Sequence, residues 1–165
     1  MHSKWPKRLG LAAVVASDLG IVALAGMDMM LSAPPISRTD LETLPLNKPV
    51  RVADLIKHDL DTACVLPPHE KRVPETALDA ARINDFLLTR TYGGEEAHWA
   101  LVTRTGDTFA LARFERSTTL DTASASDAKE IAPEGLRPVA CAPGDKAVVV
   151  RLGEERSRIV FGEMD

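Results

Sequence analysis

The chain has 165 residues, 45% of them hydrophobic and 27% charged, with a formal net charge of −4. This length bounds it to one ordinary domain with a short extension, and the composition excludes global disorder. No basic run occurs in the body of the chain, which excludes a nucleic-acid footprint, and only seven aromatic residues leave the core to Leu, Val, Ile and Ala.

The N-terminus carries Lys4, Lys7 and Arg8 without an acid, then an apolar stretch with the small-residue site Ala23-Leu24-Ala25. That order reads as a secretory signal peptide over residues 1–25. The alternative is an uncleaved membrane anchor reaching residue 31. Over 9–31, nine Leu, Ile and Val residues favour insertion by roughly 3 to 5 kcal/mol, against about 2.5 to 3.5 for the central Asp18. Either way, positive charge before the segment keeps the N-terminus inside and sends the rest across the membrane. Loss of Lys4, Lys7, Arg8 and Asp18 with the leader takes the net charge from −4 to −6.

Residues 26–50 hold four prolines and little periodicity, the pattern of a flexible spacer. A single small domain is then expected over 51–165. Val52, Leu55 and Ile56 suit a short helical turn, and TACVL before Pro67 a strand. The clearest helix runs from Pro74 to Arg90, with Ala80, Ile83 and Leu87 on one line and Tyr92-Gly93-Gly94 as its stop.

The clearest hairpin turns at Gly106-Asp107. It sets Trp99 opposite Phe114, Leu101 opposite Ala112 and Thr103 opposite Ala110 on one face, expected to pack on the helix. Val102 with Leu111, Ala100 with Arg113, and His98 with Glu115 fall on the other. A second hairpin joins AVVVRL to SRIVFGE. A two-residue loop there would set Arg151 against Arg158, so its register stays open. Between the hairpins, residues 117–136 show no evident element and read as a long loop. The fold class is α+β: one main helix on an antiparallel sheet of about five strands, preceded by the signal or anchor helix.

Cys64 and Cys141 each follow an alanine in an apolar run that ends at proline. In an oxidising compartment two such cysteines pair, and a loop of that length stabilises by about 4.5 kcal/mol in the chain-entropy model. No metal-ligand spacing and no cofactor motif is present, so no metal and no cofactor is expected. The weak binding candidates are His69 and Glu70 in a charged loop, Tyr92 at the helix stop, and His98, Arg113 and Glu115 on the hairpin. His98 and Glu115 could form an acid–base pair, and Arg113 could reach Asp85 or Glu115; the plainer reading is modest sheet contacts.

No nucleophile motif occurs, and no catalytic residue is assigned. The expected function is an exported cell-envelope protein, periplasmic or held at the inner membrane through 9–31, acting as a non-catalytic protein-binding module of inhibitor or accessory-subunit type. Its expected partner is another envelope protein. The alternatives are a membrane-tethered subunit of an envelope assembly, and a small periplasmic hydrolase or ligand carrier with His98 or Arg113 lining a deep pocket.

Overall fold

The computed structural model describes residues 36–164. The expected leader or anchor and residues 26–35 of the expected spacer lie outside the described residues. Among those described, no helix is long and apolar enough to cross a membrane.

The element order is α1 (Arg38–Glu42), β1 (Pro49–Arg51), α2 (Val52–Ile56), β2 (Thr62–Leu66), α3 (Ala80–Thr89), β3 (His98–Thr105), β4 (Thr108–Glu115), β5 (Asp121–Thr122), α4 (Ala125–Ile131), β6 (Arg137–Pro138), β7 (Cys141–Pro143), β8 (Ala147–Leu152) and β9 (Arg158–Glu163). The class is α+β, as the sequence predicts, but the strands form two sheets rather than one. The first runs β1-β8-β9-β5 with β6 also on β9; the second runs β4-β3-β2-β7. All pairs are antiparallel except β5 with β9.

Side-chain alternation explains the second sheet. Ala63, Val65, Trp99, Leu101, Ala112 and Phe114 face Ala147, Val149, Ile159 and Phe161 across a shared core. Their alternate neighbours face outward and are covered in turn. Cys64, Leu66, Ala100 and Val102 lie under Ile83 and Leu87 of α3, while Val148, Val150 and Val160 lie against Ala128 of α4 and Leu136. The result is four layers, helix–sheet–sheet–helix. It also explains why β2 is buried along its whole length and why its sequence shows no alternation.

The register of the first hairpin is the predicted one, from His98↔Glu115 to Thr105↔Thr108, with Gly106 taking φ +57° at the first turn position. Its faces are assigned the other way round. The Trp99–Phe114 face, with rings 4.5 Å apart, meets the other sheet, because α3 covers the Val102 face instead. The second hairpin pairs Arg151 with Ile159 and Leu152 with Arg158. Its odd-length loop thus avoids the like-charge pair.

Two expected loops are structured. Residues 36–50 of the spacer fold into the domain: Ile36, Leu41 and Leu44 are buried, and β1 joins β8. Ser37 and Asp40 cap α1 reciprocally, supplying partners for its first amides. Within 117–136, β5 and α4 form, with Ser124 Oγ accepting from Asp127 N at 3.1 Å.

Helix α3 is shorter than expected. Asp79 at its N-cap takes φ +57°, and residues 74–79 are turns. At its other end Thr91 takes φ +52°, and Tyr92 N donates to Leu87 O at 3.0 Å, a Schellman closure.

Candidate functional site

Val65 N donates to Ala140 O, and Gly144 N to Asp61 O, each at 2.9 Å. Cys64 and Cys141 fall between these bonds, directly opposite each other in a non-hydrogen-bonded pair, where cross-strand side chains approach most closely. Their Cα atoms are 4.0 Å apart and the disulfide is formed. Both cysteines are buried under α3, so the bond ties edge strand β7 to the middle of its sheet. Such a bond is compatible with an extracytoplasmic location.

At the end of the sheet where β2 stops, Tyr92, His98 and Arg113 gather around Glu95. Glu95 Oε2 lies 2.7 Å from an Arg113 guanidinium nitrogen and 3.0 Å from His98 Nδ1. The guanidinium of Arg113 sits 5.9 Å from the centre of the Tyr92 ring, a cation–π distance. The Tyr92 hydroxyl is buried and has no hydrogen-bond partner among the described residues. Burial holds its phenol above the ordinary value; Arg113 opposes that shift and Glu95 adds to it.

The expected His98–Glu115 pair is therefore not made. The two residues are opposite in register, but the His98 ring turns to Glu95 and Glu115 is exposed. Arg113 likewise reaches Glu95, not Asp85 or Glu115. The reason is geometric: the loop after α3 folds back over this face and brings its carboxylate closer than the neighbouring strand can.

His69 and Glu70 stand nearby in a tight turn. Glu70 N donates to Pro67 O at 3.2 Å, and His69 takes φ +69°, so Pro68 and His69 form the centre of a type II turn. The φ of Gly94 is +62°, and a side chain there would meet the Glu70 carbonyl at 2.9 Å. Only glycine lets the two loops stack. The Asn84 side chain clamps both backbone groups of Val73, at 2.9 and 3.1 Å, which fixes the outgoing end of the turn to α3.

This turn forms one wall of a cleft of about 390 Å³. Val65 and Phe161 line it where the two sheets meet, Pro67, Pro68 and Pro74 line one side, and Ala125, Ala128 and Val139 the other. Glu70, Arg72 and Lys129 supply its charged groups. The lining is apolar with a few polar groups, the make-up of a site that accepts an apolar group and orients it at the rim. Neither His98 nor Arg113 lines it. Of the predicted residues, Glu70 alone reaches the cleft; the α4 wall lies within 117–136, the stretch expected to be a loop.

A second missed constellation closes the opposite end of the sheet. Arg104, with a side chain 12% exposed, bonds Asp79 Oδ2 at 2.7 and 3.0 Å, Asp61 Oδ2 at 2.9 Å and Gly106 O at 2.8 Å. Thr62 Oγ1 donates to Asp79 at 2.5 Å. The carboxyl of Asp79 is held below its usual range, first by Thr62 and then, against burial, by Arg104. This network joins the start of α3 to β2 and β3. Among the described residues no three His, Cys, Asp or Glu side chains form a group that could hold a metal ion.

No protein-family model, curated protein or solved structure matches this chain.

Proposed function

We propose that the protein is an extracytoplasmic binding module of the cell envelope, of the inhibitor or accessory-subunit type, that takes an apolar segment of another envelope protein into the cleft over Pro67-Pro68. The observation that carries this reading is the cleft itself: apolar walls, with Glu70, Arg72 and Lys129 among its lining. Prolines and small alanines present apolar area at little entropic cost, and a wall that is already ordered favours association. The Cys64–Cys141 bond supports the reading because it holds β2, whose end forms one wall, to β7. The Glu95 cluster supports it differently: Arg113 is paired with the Glu95 carboxylate, which ties the neighbouring loop to β4.

Photo-crosslinking in the producing cells tests this. A photoreactive side chain at Arg72 or Lys129 is expected to trap one discrete envelope protein, while one at exposed Glu154 or Lys57 does not. Equal trapping from all four positions contradicts the proposal. So does turnover of an envelope substrate by the purified protein that is lost on changing His98 or Glu115.

A further inference from the structure

Most edge strands of the two sheets are short: β1 and β7 have three residues, β5 and β6 two. The exception is β4, eight residues long and paired only with β3. A long open edge is a template for another strand unless something blunts it.

The outward groups of this edge follow from one bond. Arg116 N donates to Ala97 O at 2.8 Å, continuing the β3–β4 register. In an antiparallel ladder the bonded pairs alternate, so Thr108, Ala110, Ala112 and Phe114 bond to β3. The backbone groups of Phe109, Leu111, Arg113 and Glu115 point away from the sheet. Among the described residues, only the Glu115 carbonyl has a partner there, Arg38 Nη1 at 2.9 Å. Beside these groups Phe109 stacks on Phe86 at 5.0 Å, Arg82 lies 5.7 Å from the Phe109 ring, and Leu111 packs half-buried against the same cluster.

We infer that β4 pairs antiparallel with β4 of a second copy, about a two-fold axis at Ala110, to give one continuous eight-stranded sheet. Sequence complementarity selects this register. A centre at Leu111 opposes Asp107 to the second copy's Glu115, a like-charge pair. A centre at Ala112 sets Phe109 against Glu115 and Leu111 against Arg113. A centre at Ala110 sets Phe109 against Leu111 twice and Asp107 against Arg113 twice, with apolar on apolar and opposite charges together. The two Ala110 residues then meet in a non-bonded pair, the closely spaced kind that small side chains suit. Asp107 is almost fully exposed although paired with Arg82, and Arg113 uses one guanidinium nitrogen on Glu95, so both have capacity for the new contact.

The test is disulfide trapping in the producing cells. Two Ala110→Cys chains would meet across the axis in the kind of pair that Cys64 and Cys141 occupy. A reducible dimer is expected from Ala110→Cys and none from Thr108→Cys, which in this register faces Ala112. Adding Leu111→Pro to Ala110→Cys is expected to abolish the dimer, because it removes an outward amide and leaves the ladder to β3 intact. Adding Arg113→Asp is expected to abolish it as well, and further adding Asp107→Arg to restore it. A monomeric Ala110→Cys protein, equal dimers from Ala110→Cys and Thr108→Cys, an adduct with a different protein, or indifference to the charge reversals would each overturn the inference.

Discussion

Replacing Cys64 and Cys141 together by alanine probes the scaffold most strongly. The bond closes a loop with a sequence separation of 77, and for a loop of that length the chain-entropy model assigns about 15 cal/mol/K, or about 4.5 kcal/mol at 25 °C. Losing two buried sulfurs from the layer under α3 adds roughly 1.5 kcal/mol, scaled from a buried methylene. An unfolding entropy of roughly 2.1 cal/mol/K per residue, over roughly 130 residues, then converts the total to a fall in Tm of about 20 °C. Circular-dichroism melts of the oxidised protein, both single variants and the double variant measure it. Each single change breaks the same bond, so the three variants are expected to fall together instead of adding. A Tm within about 5 °C of the parent in the double variant would refute the loop-closure reasoning.

Three further outcomes are expected. Asp79 has a depressed carboxyl in the fold, so its contribution is complete above the ordinary carboxylate value of about 4 and lost as pH falls through the folded value. Asp79→Asn should flatten the acid limb of a urea-unfolding series, and Arg104→Met, which strands two carboxylates, should cost about 2–4 kcal/mol. Thr91 is β-branched at φ +52°, so Thr91→Gly should raise stability by about 1 kcal/mol in the same assay. Tyr92, raised by burial, should ionise above the ordinary tyrosine value of about 10 in an ultraviolet pH titration. Its stabilising effect is then present below that value and lost as pH rises through the folded one, and Arg113→Ala should move the titration higher.

Much of the second sheet was legible because its signals are local. Alternation and a two-residue turn set the first hairpin down to the pairing of His98 with Glu115, and the apolar line Ala80, Ile83, Leu87 marked the buried side of α3. What periodicity cannot say is which layer covers which face, since both faces of this hairpin are apolar at their centre. The Trp99 face, expected under the helix, therefore meets the other sheet instead.

The elements taken for spacer and loop carried signals of another kind. Ser37 with Asp40 and Ser124 with Asp127 have the spacing of helix caps, but the helices they open are only five and seven residues long, too short for a clear apolar stripe. Strand β5 is two residues long and parallel to β9, a pairing that only the whole fold creates. The site was legible in part for the same reason. Tyr92, His98 and Arg113 were visible as polar residues at loop and strand positions, whereas Glu95 meets them only because Gly94 lets its loop fold back onto Glu70.

The proposed function requires that the Cys64–Cys141 bond be formed in the producing cells. The most direct test is the intact mass of the protein from its producing cells, after thiol blocking, with and without prior reduction. The expected result is no blocked thiol before reduction and two after it, on a chain that starts near Gly26 if residues 1–25 are a cleaved leader. Two thiols blocked without any reductant would contradict it, removing both the scaffold bond and the argument for the envelope.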